Sequence, residues 1–130
     1  MSSRKGVFVT ALNCIDGRAQ GPVHAWVQEH YYADFVDSIT EPGVDRVLAE
    51  GGRETIESIR HKVEISVRAH GSALVVIAGH YDCAGNPVSK EEHIAEIKKD
   101  VQTVASWGFP VECVGLWVNE QWEAEEVAEK

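Results

Sequence analysis

The sequence predicts an α/β fold: an open parallel sheet of about four strands in the order 2-1-3-4, with helices on both faces. Three observations lead there. Two apolar runs, Gly6-Val7-Phe8-Val9-Thr10-Ala11-Leu12 and Ala73-Leu74-Val75-Val76-Ile77-Ala78-Gly79, are rich in β-branched residues and lack clean alternation, as expected of strands covered on both faces. Stretches with apolar residues at helical spacing separate such runs, which is the pattern of right-handed βαβ crossovers. The chain has 130 residues, 44% of them hydrophobic, so residues 1–130 read as one domain with enough chain to bury a core.

The first strand takes Gly6 to Leu12 and leaves Cys14 just past its C-terminal end. Pro22 suits the opening turn of a helix, and Val23, Trp26, Val27 and His30 then share one face of a short helix. Ala33 to Ile39 reads as a second strand. Glu41-Pro42-Gly43 breaks the chain, and Val44 to Ala49 supplies one or two helical turns before Gly51-Gly52. From Glu54, the positions Ile56, Ile59, Val63 and Val67 mark a helix that Gly71 stops after His70. The third strand is Ala73 to Gly79, followed directly by His80. Beyond the Asn86-Pro87 loop, Ser89 and Glu92 form a capping box, and Ile94, Ile97, Val101 and Val104 stripe a helix ending near Gly108. Val111 to Val118 is the fourth strand. The acidic stretch from about 120 to 130 reads as a solvated terminal helix or frayed end.

Composition narrows the function. Twelve Lys and Arg against 21 Asp and Glu give a formal charge of −9, which repels phosphate backbones and anionic lipid surfaces, so neither nucleic acid nor membrane is an expected partner. No apolar run approaches the roughly 18 residues of a membrane span. The opening Met-Ser-Ser-Arg-Lys leads into a strand rather than a signal sequence, so a cytoplasmic location is expected. Three cysteines are an odd number for a disulfide framework and point to metal or redox use.

In the order 2-1-3-4 the first and third strands are neighbours, and the crevice at their C-terminal ends is where such sheets bind ligands. Cys14 ends the first strand; His80 and Cys83 follow the third. Two thiols and an imidazole suit zinc, and three protein ligands leave a fourth position for water or a small-molecule substrate. Cys113, inside the fourth strand, reads as core. His24, His30, His61, His70 and His93 fall on helices or their ends, where exposure or capping is the ordinary role. Of these, His24 and His30 are near enough to Arg18 in sequence to be weighed as proton shuttles. Asp82 reads as a turn residue and Tyr81 as packing.

Taken together, Cys14-x-Asp16-x-Arg18 and the run Val75-Val76-Ile77-Ala78-Gly79 into His80-x-x-Cys83 resemble the β-class carbonic anhydrases, whose pattern is Cys-x-Asp-x-Arg and then His-x-x-Cys. The resemblance implies a zinc lyase that hydrates carbon dioxide reversibly to bicarbonate. Cys14, His80 and Cys83 would hold the zinc, and Asp16 with Arg18 would form a dyad orienting zinc-bound hydroxide. It also implies two alternatives. Asp16 could occupy the fourth zinc position and leave a non-catalytic binding or regulatory domain, or the same hydroxide could hydrolyse carbonyl sulfide or carbon disulfide. A metal-free crevice for a nucleotide or flavin is a further reading, but no Gly-rich phosphate loop follows the first strand. The chain departs from the family pattern at Ala84, where a glycine is usual, at Gly17, where serine is common, and at Ile39-Thr40-Glu41-Pro42-Gly43, which replaces an Arg-Asn-Ala-Gly-like segment. It also begins at the first strand, where typical members carry a helical arm that embraces a second subunit. A homodimer is therefore expected from the resemblance, but without that arm.

Overall fold

The computed structural model describes residues 6–130, so the opening Met-Ser-Ser-Arg-Lys lies outside the described residues. Five strands and four helices follow one another: β1 (Phe8–Asn13), α1 (Gly17–Tyr31), β2 (Phe35–Thr40), α2 (Val44–Glu50), α3 (Arg53–His70), β3 (Leu74–His80), α4 (Lys90–Ala105), β4 (Glu112–Val118) and β5 (Ala124–Glu129). The sheet order is β2-β1-β3-β4-β5. Its first four strands run parallel, as expected, and the fifth is antiparallel to β4.

Side-chain alternation along the buried strands feeds two cores. Leu74, Val76 and Ala78 of β3 join Val9, Ala11, Val114 and Leu116 against Val23, Trp26 and Val27 of α1. Val75 and Ile77 face the other way and pack with Leu12 and Cys113 against α2, α3 and α4 through Leu48, Ile59, Val63, Val101 and Val104. All seven residues of β3 are buried. That double coverage is why its sequence reads as an unbroken apolar run. Cys113 is core, as expected, and burial pushes its thiol up to about 11.

Three expectations are corrected. The acidic tail is not a helix or a frayed end: after a turn held by the Asn119 side-chain oxygen, which accepts from the Gln121 and Glu123 amides at 3.0 Å each, β5 pairs Val118 with Ala124 and Leu116 with Glu126. The sheet therefore has five strands rather than four, and β4 gains a partner for an edge that would otherwise be open. The first helix begins at Gly17, not Pro22, because Asp16 caps it: its Oδ1 accepts from the Arg18 amide at 2.9 Å. Pro22 lies inside the helix, where its missing N–H leaves one carbonyl of the preceding turn without its usual bond. Finally, His93 is not a surface histidine but is 1% exposed on the inner face of α4.

Candidate metal centre

Cys14 follows β1, and His80 ends the neighbouring strand β3 with Cys83 three residues on, so parallel pairing of β1 with β3 carries all three to one end of the sheet. Their donor atoms lie within 4.8 Å of one another. Cys14 Sγ and Cys83 Sγ are 3.9 Å apart, and both cysteines are free. Two thiolates about 2.3 Å from a tetrahedral zinc stand about 3.8 Å apart, so the thiol spacing already fits the ion.

The imidazole fits as well. His80 Nδ1 is 2.7 Å from the Tyr81 carbonyl oxygen. A carbonyl only accepts, so Nδ1 carries the proton and Nε2 presents its lone pair. That Nε2 is buried and has no hydrogen-bond partner. The Gly43 amide donates to Cys14 Sγ at 3.4 Å, so the Ile39–Gly43 segment reaches the site through its backbone. The Cys83 hydrogen bond, aided by the Gly43 amide and outweighing burial, holds the Cys14 thiol down to about 4. Cys83 keeps the proton beside that thiolate and is held well above the usual thiol range. Burial alone would push His80 down, but the Cys14 thiolate, the Tyr81 carbonyl and the Asp16 charge together raise it. The space between the donors thus favours positive charge, and the donor set suits zinc.

Asp16 stands over this cluster with Oδ2 4.0 Å from His80 Nε2. Arg18 grips it in a two-point fork, Nε to Oδ1 at 3.1 Å and Nη2 to Oδ2 at 2.7 Å. Hydrogen bonding from Arg18 holds the Asp16 carboxyl down to about 2. Arg18 is itself restrained: Nη1 and Nη2 donate to Asp82 Oδ2 and the Asp82 carbonyl at 3.3 and 3.2 Å, and its guanidinium lies 4.6 Å from the Trp122 ring centre. Asp82 is a turn residue with φ of 57°, and it also helps hold Arg18.

Two glycines let the loops close. A Cβ on Gly43, whose φ is +61°, would lie 2.7 Å from the Gly85 backbone, and one on Gly85 would strike Pro42. The chain thus puts the close approach at Gly85, one residue after Ala84. A cavity of about 490 Å³ opens beside this loop, toward β4 and α4 and lined in part by Cys83, Val88, Trp117 and His93. Sequence reasoning missed Trp122 and the second role of Asp82, because neither sits in a motif; the Asn119-to-Glu123 turn that aims Trp122 is set by one asparagine. His24 and His30 are occupied elsewhere, His24 facing Ser38 at 3.4 Å and His30 the Trp26 carbonyl at 2.9 Å.

A family profile described as "Putative carbonic anhydrase" matches residues 4–128. No curated protein sequence matches the chain. Among solved structures, the chain is similar to a tetrameric β-carbonic anhydrase of the filamentous ascomycete Sordaria macrospora, with a TM-score of 0.62 at 11% identity over 96% of this chain and 82% of that one. It is also similar to a carbonic anhydrase from Streptococcus mutans, with a TM-score of 0.50 at 15% identity over 91% of this chain and 80% of that one. At such identities the likeness is one of fold.

Proposed function

Because the chain belongs to the carbonic anhydrase family whose profile spans residues 4–128, we propose that it hydrates carbon dioxide reversibly to bicarbonate and a proton, using zinc held by Cys14, His80 and Cys83. Zinc, when bound, supplies the Lewis acidity that makes a water nucleophilic near neutral pH, an effect that two thiolate ligands weaken. The remaining work belongs to side chains. Asp16, at about 2, stays ionised at neutral pH, so it is too weak a base to take a proton and acts instead as an acceptor that orients the nucleophile's O–H. Arg18 keeps that carboxylate charged and fixes its plane through the two-point fork. The Tyr81 carbonyl fixes the His80 tautomer. The three donor residues are 1–4% exposed, which suits a small neutral substrate.

The observation that supports this reading most directly is the bare, buried Nε2 of His80 within 4.8 Å of two free thiols. Elemental analysis of protein purified without added metal tests it. The expected result is a zinc that Cys14→Ser removes, together with accelerated carbon dioxide hydration; zinc indifferent to Cys14 would overturn the assignment. One observation favours a second reading, in which Asp16 closes the metal site and the domain only binds: Asp16 Oδ2 is already 4.0 Å from His80 Nε2. Under that reading Asp16→Asn would raise hydration instead of lowering it. The tetrameric Sordaria protein suggests an oligomer here too, and the exposed Tyr32, just before edge strand β2, and Phe35, at its start, suit a homodimer contact.

A further inference from the structure

Gly79 and His80 are consecutive in β3, so they look out on opposite faces of the sheet. Behind Gly79 lies a second cluster of titratable groups that the zinc site does not use. Asp45 of α2, Asn86 of the loop after Cys83, and His93 and Asp100 of α4 are each at most 1% exposed. His93 Nδ1 is 2.5 Å from Asp45 Oδ2. With Glu96 of α4, the ligand-capable atoms of Asp45 and His93 lie within 4.8 Å of one another. A Cβ on Gly79 would come 2.5 Å from Asp45 Oδ2, so the strand carries glycine where this carboxylate enters.

The amide of Asn86 occupies the middle of the cluster. Its Nδ2 lies 3.1 Å from Asp45 Oδ1, 3.4 Å from His93 Nδ1 and 2.6 Å from Glu96 Oε1. The Asp45 carboxylate accepts, so His93 Nδ1 carries the proton of that short bond and the two amide hydrogens go to Asp45 and Glu96, while the Asn86 Oδ1 is buried with no partner at all. Asp100 lies one turn beyond Glu96 on α4, fully buried, and neither of its carboxylate oxygens has a partner. Lys99 on the same helix does not answer it, since its ammonium donates to the Ala49 carbonyl at 3.0 Å. Two carboxylates thus meet one imidazole, with the buried Asn86 oxygen beside them and the Asp100 carboxyl a turn away both left without partners, an arrangement that is costly unless a positive charge enters.

We propose that Asp45, His93 and Glu96 form a second metal site, selective for an oxygen-preferring divalent cation of the Mn²⁺ type. Turning the Asn86 amide over exchanges Nδ2 for Oδ1 and offers its unpartnered oxygen to the ion. The ligand set is carboxylate, carboxamide and a single imidazole, with no sulfur, so it discriminates against the soft preference of the Cys14 site across the sheet. Its ligands come from α2, the loop that carries Cys83, and α4. A bound ion therefore fastens the back of the zinc loop to both helices.

Electron paramagnetic resonance with added Mn²⁺ tests this on the full-length, zinc-loaded protein, because bound Mn²⁺ loses the sharp signal of the free ion. The expected result is about one Mn²⁺ bound per chain, with binding unchanged in Cys14→Ser and weakened at least about tenfold in Glu96→Gln. Glu96 is only half-buried and glutamine matches it in shape, so this variant should fold, which far-UV circular dichroism would verify. Mn²⁺ should also raise the melting temperature of the wild type and not of Glu96→Gln. A free-ion signal that persists beside excess wild-type protein, or equal binding by Glu96→Gln, would overturn the proposal.

Discussion

Asp16 does two things with one carboxylate. Its Oδ1 caps α1, and the same carboxylate, turned by Arg18, faces the ligand cluster. Asp16→Asn separates the two roles, because asparagine caps as well as aspartate but cannot offer two anionic acceptors. Losing the charged fork to Arg18 should lower its unfolding free energy by about 1 kcal/mol in chemical denaturation, the partly exposed pair being screened by solvent, while kcat/KM for hydration falls about 10²-fold. Trp122→Ala removes the ring under the Arg18 guanidinium. The expected loss is milder, several-fold in kcat/KM with little change in bound zinc, since Asp16 and Asp82 still hold Arg18. Gly43→Ala is the structural counterpart: positive φ and the 2.7 Å approach to Gly85 leave a methyl group no room. It should destabilise the fold by about 1–3 kcal/mol.

Among the elements, the buried strands were legible and the boundaries facing solvent were not. β1, β3 and β4 are apolar because helices cover both their faces, and that burial is written into every residue of Leu74–His80. The start of α1 was hidden because Gly17-Arg18-Ala19-Gln20-Gly21 carries two glycines and little apolar period; only the Asp16 cap marks it. β5 was hidden because an edge strand exposes one face, and Glu125, Glu126 and Glu129 read as a solvated run although Ala124 and Ala128 face the cores. His93 and Asp100 lie on the same stripe of α4 as Ile97, Val101 and Val104, so the helical period did contain them, and for His93 polarity alone argued it outward. In the candidate site, Cys14, Asp16, Arg18, His80 and Cys83 were legible as motifs, whereas Trp122 comes from a turn with no motif. If β5 completes the sheet, deleting residues 119–130 should cost several kcal/mol and promote aggregation through the bared β4 edge, which denaturation and light scattering would register.

At the scale of the molecule, the Asp100 carboxyl buried behind β3 gives stability a pH dependence. Burial, with the charges of Asp45 and Glu96 added, pushes the Asp100 carboxyl up to about 9 in the metal-free chain. Unfolded, it ionises near the ordinary value of about 3.9. Below that value both states hold the proton, so nothing is lost. Between about 4 and 9 the unfolded chain alone releases it, so stability falls with rising pH by up to about 1.4 kcal/mol per unit. Asp100→Asn should flatten that slope in denaturation series run across this window. The zinc reaction on the other face is the account's central claim, and oxygen-18 exchange between labelled bicarbonate and water measures it without an added buffer indicator. The account predicts that zinc-loaded wild type strips the label far faster than the uncatalysed reaction and that Cys83→Ser does not. Wild type carrying one zinc at the Cys14, His80 and Cys83 site, yet leaving the label at the uncatalysed rate, would contradict it.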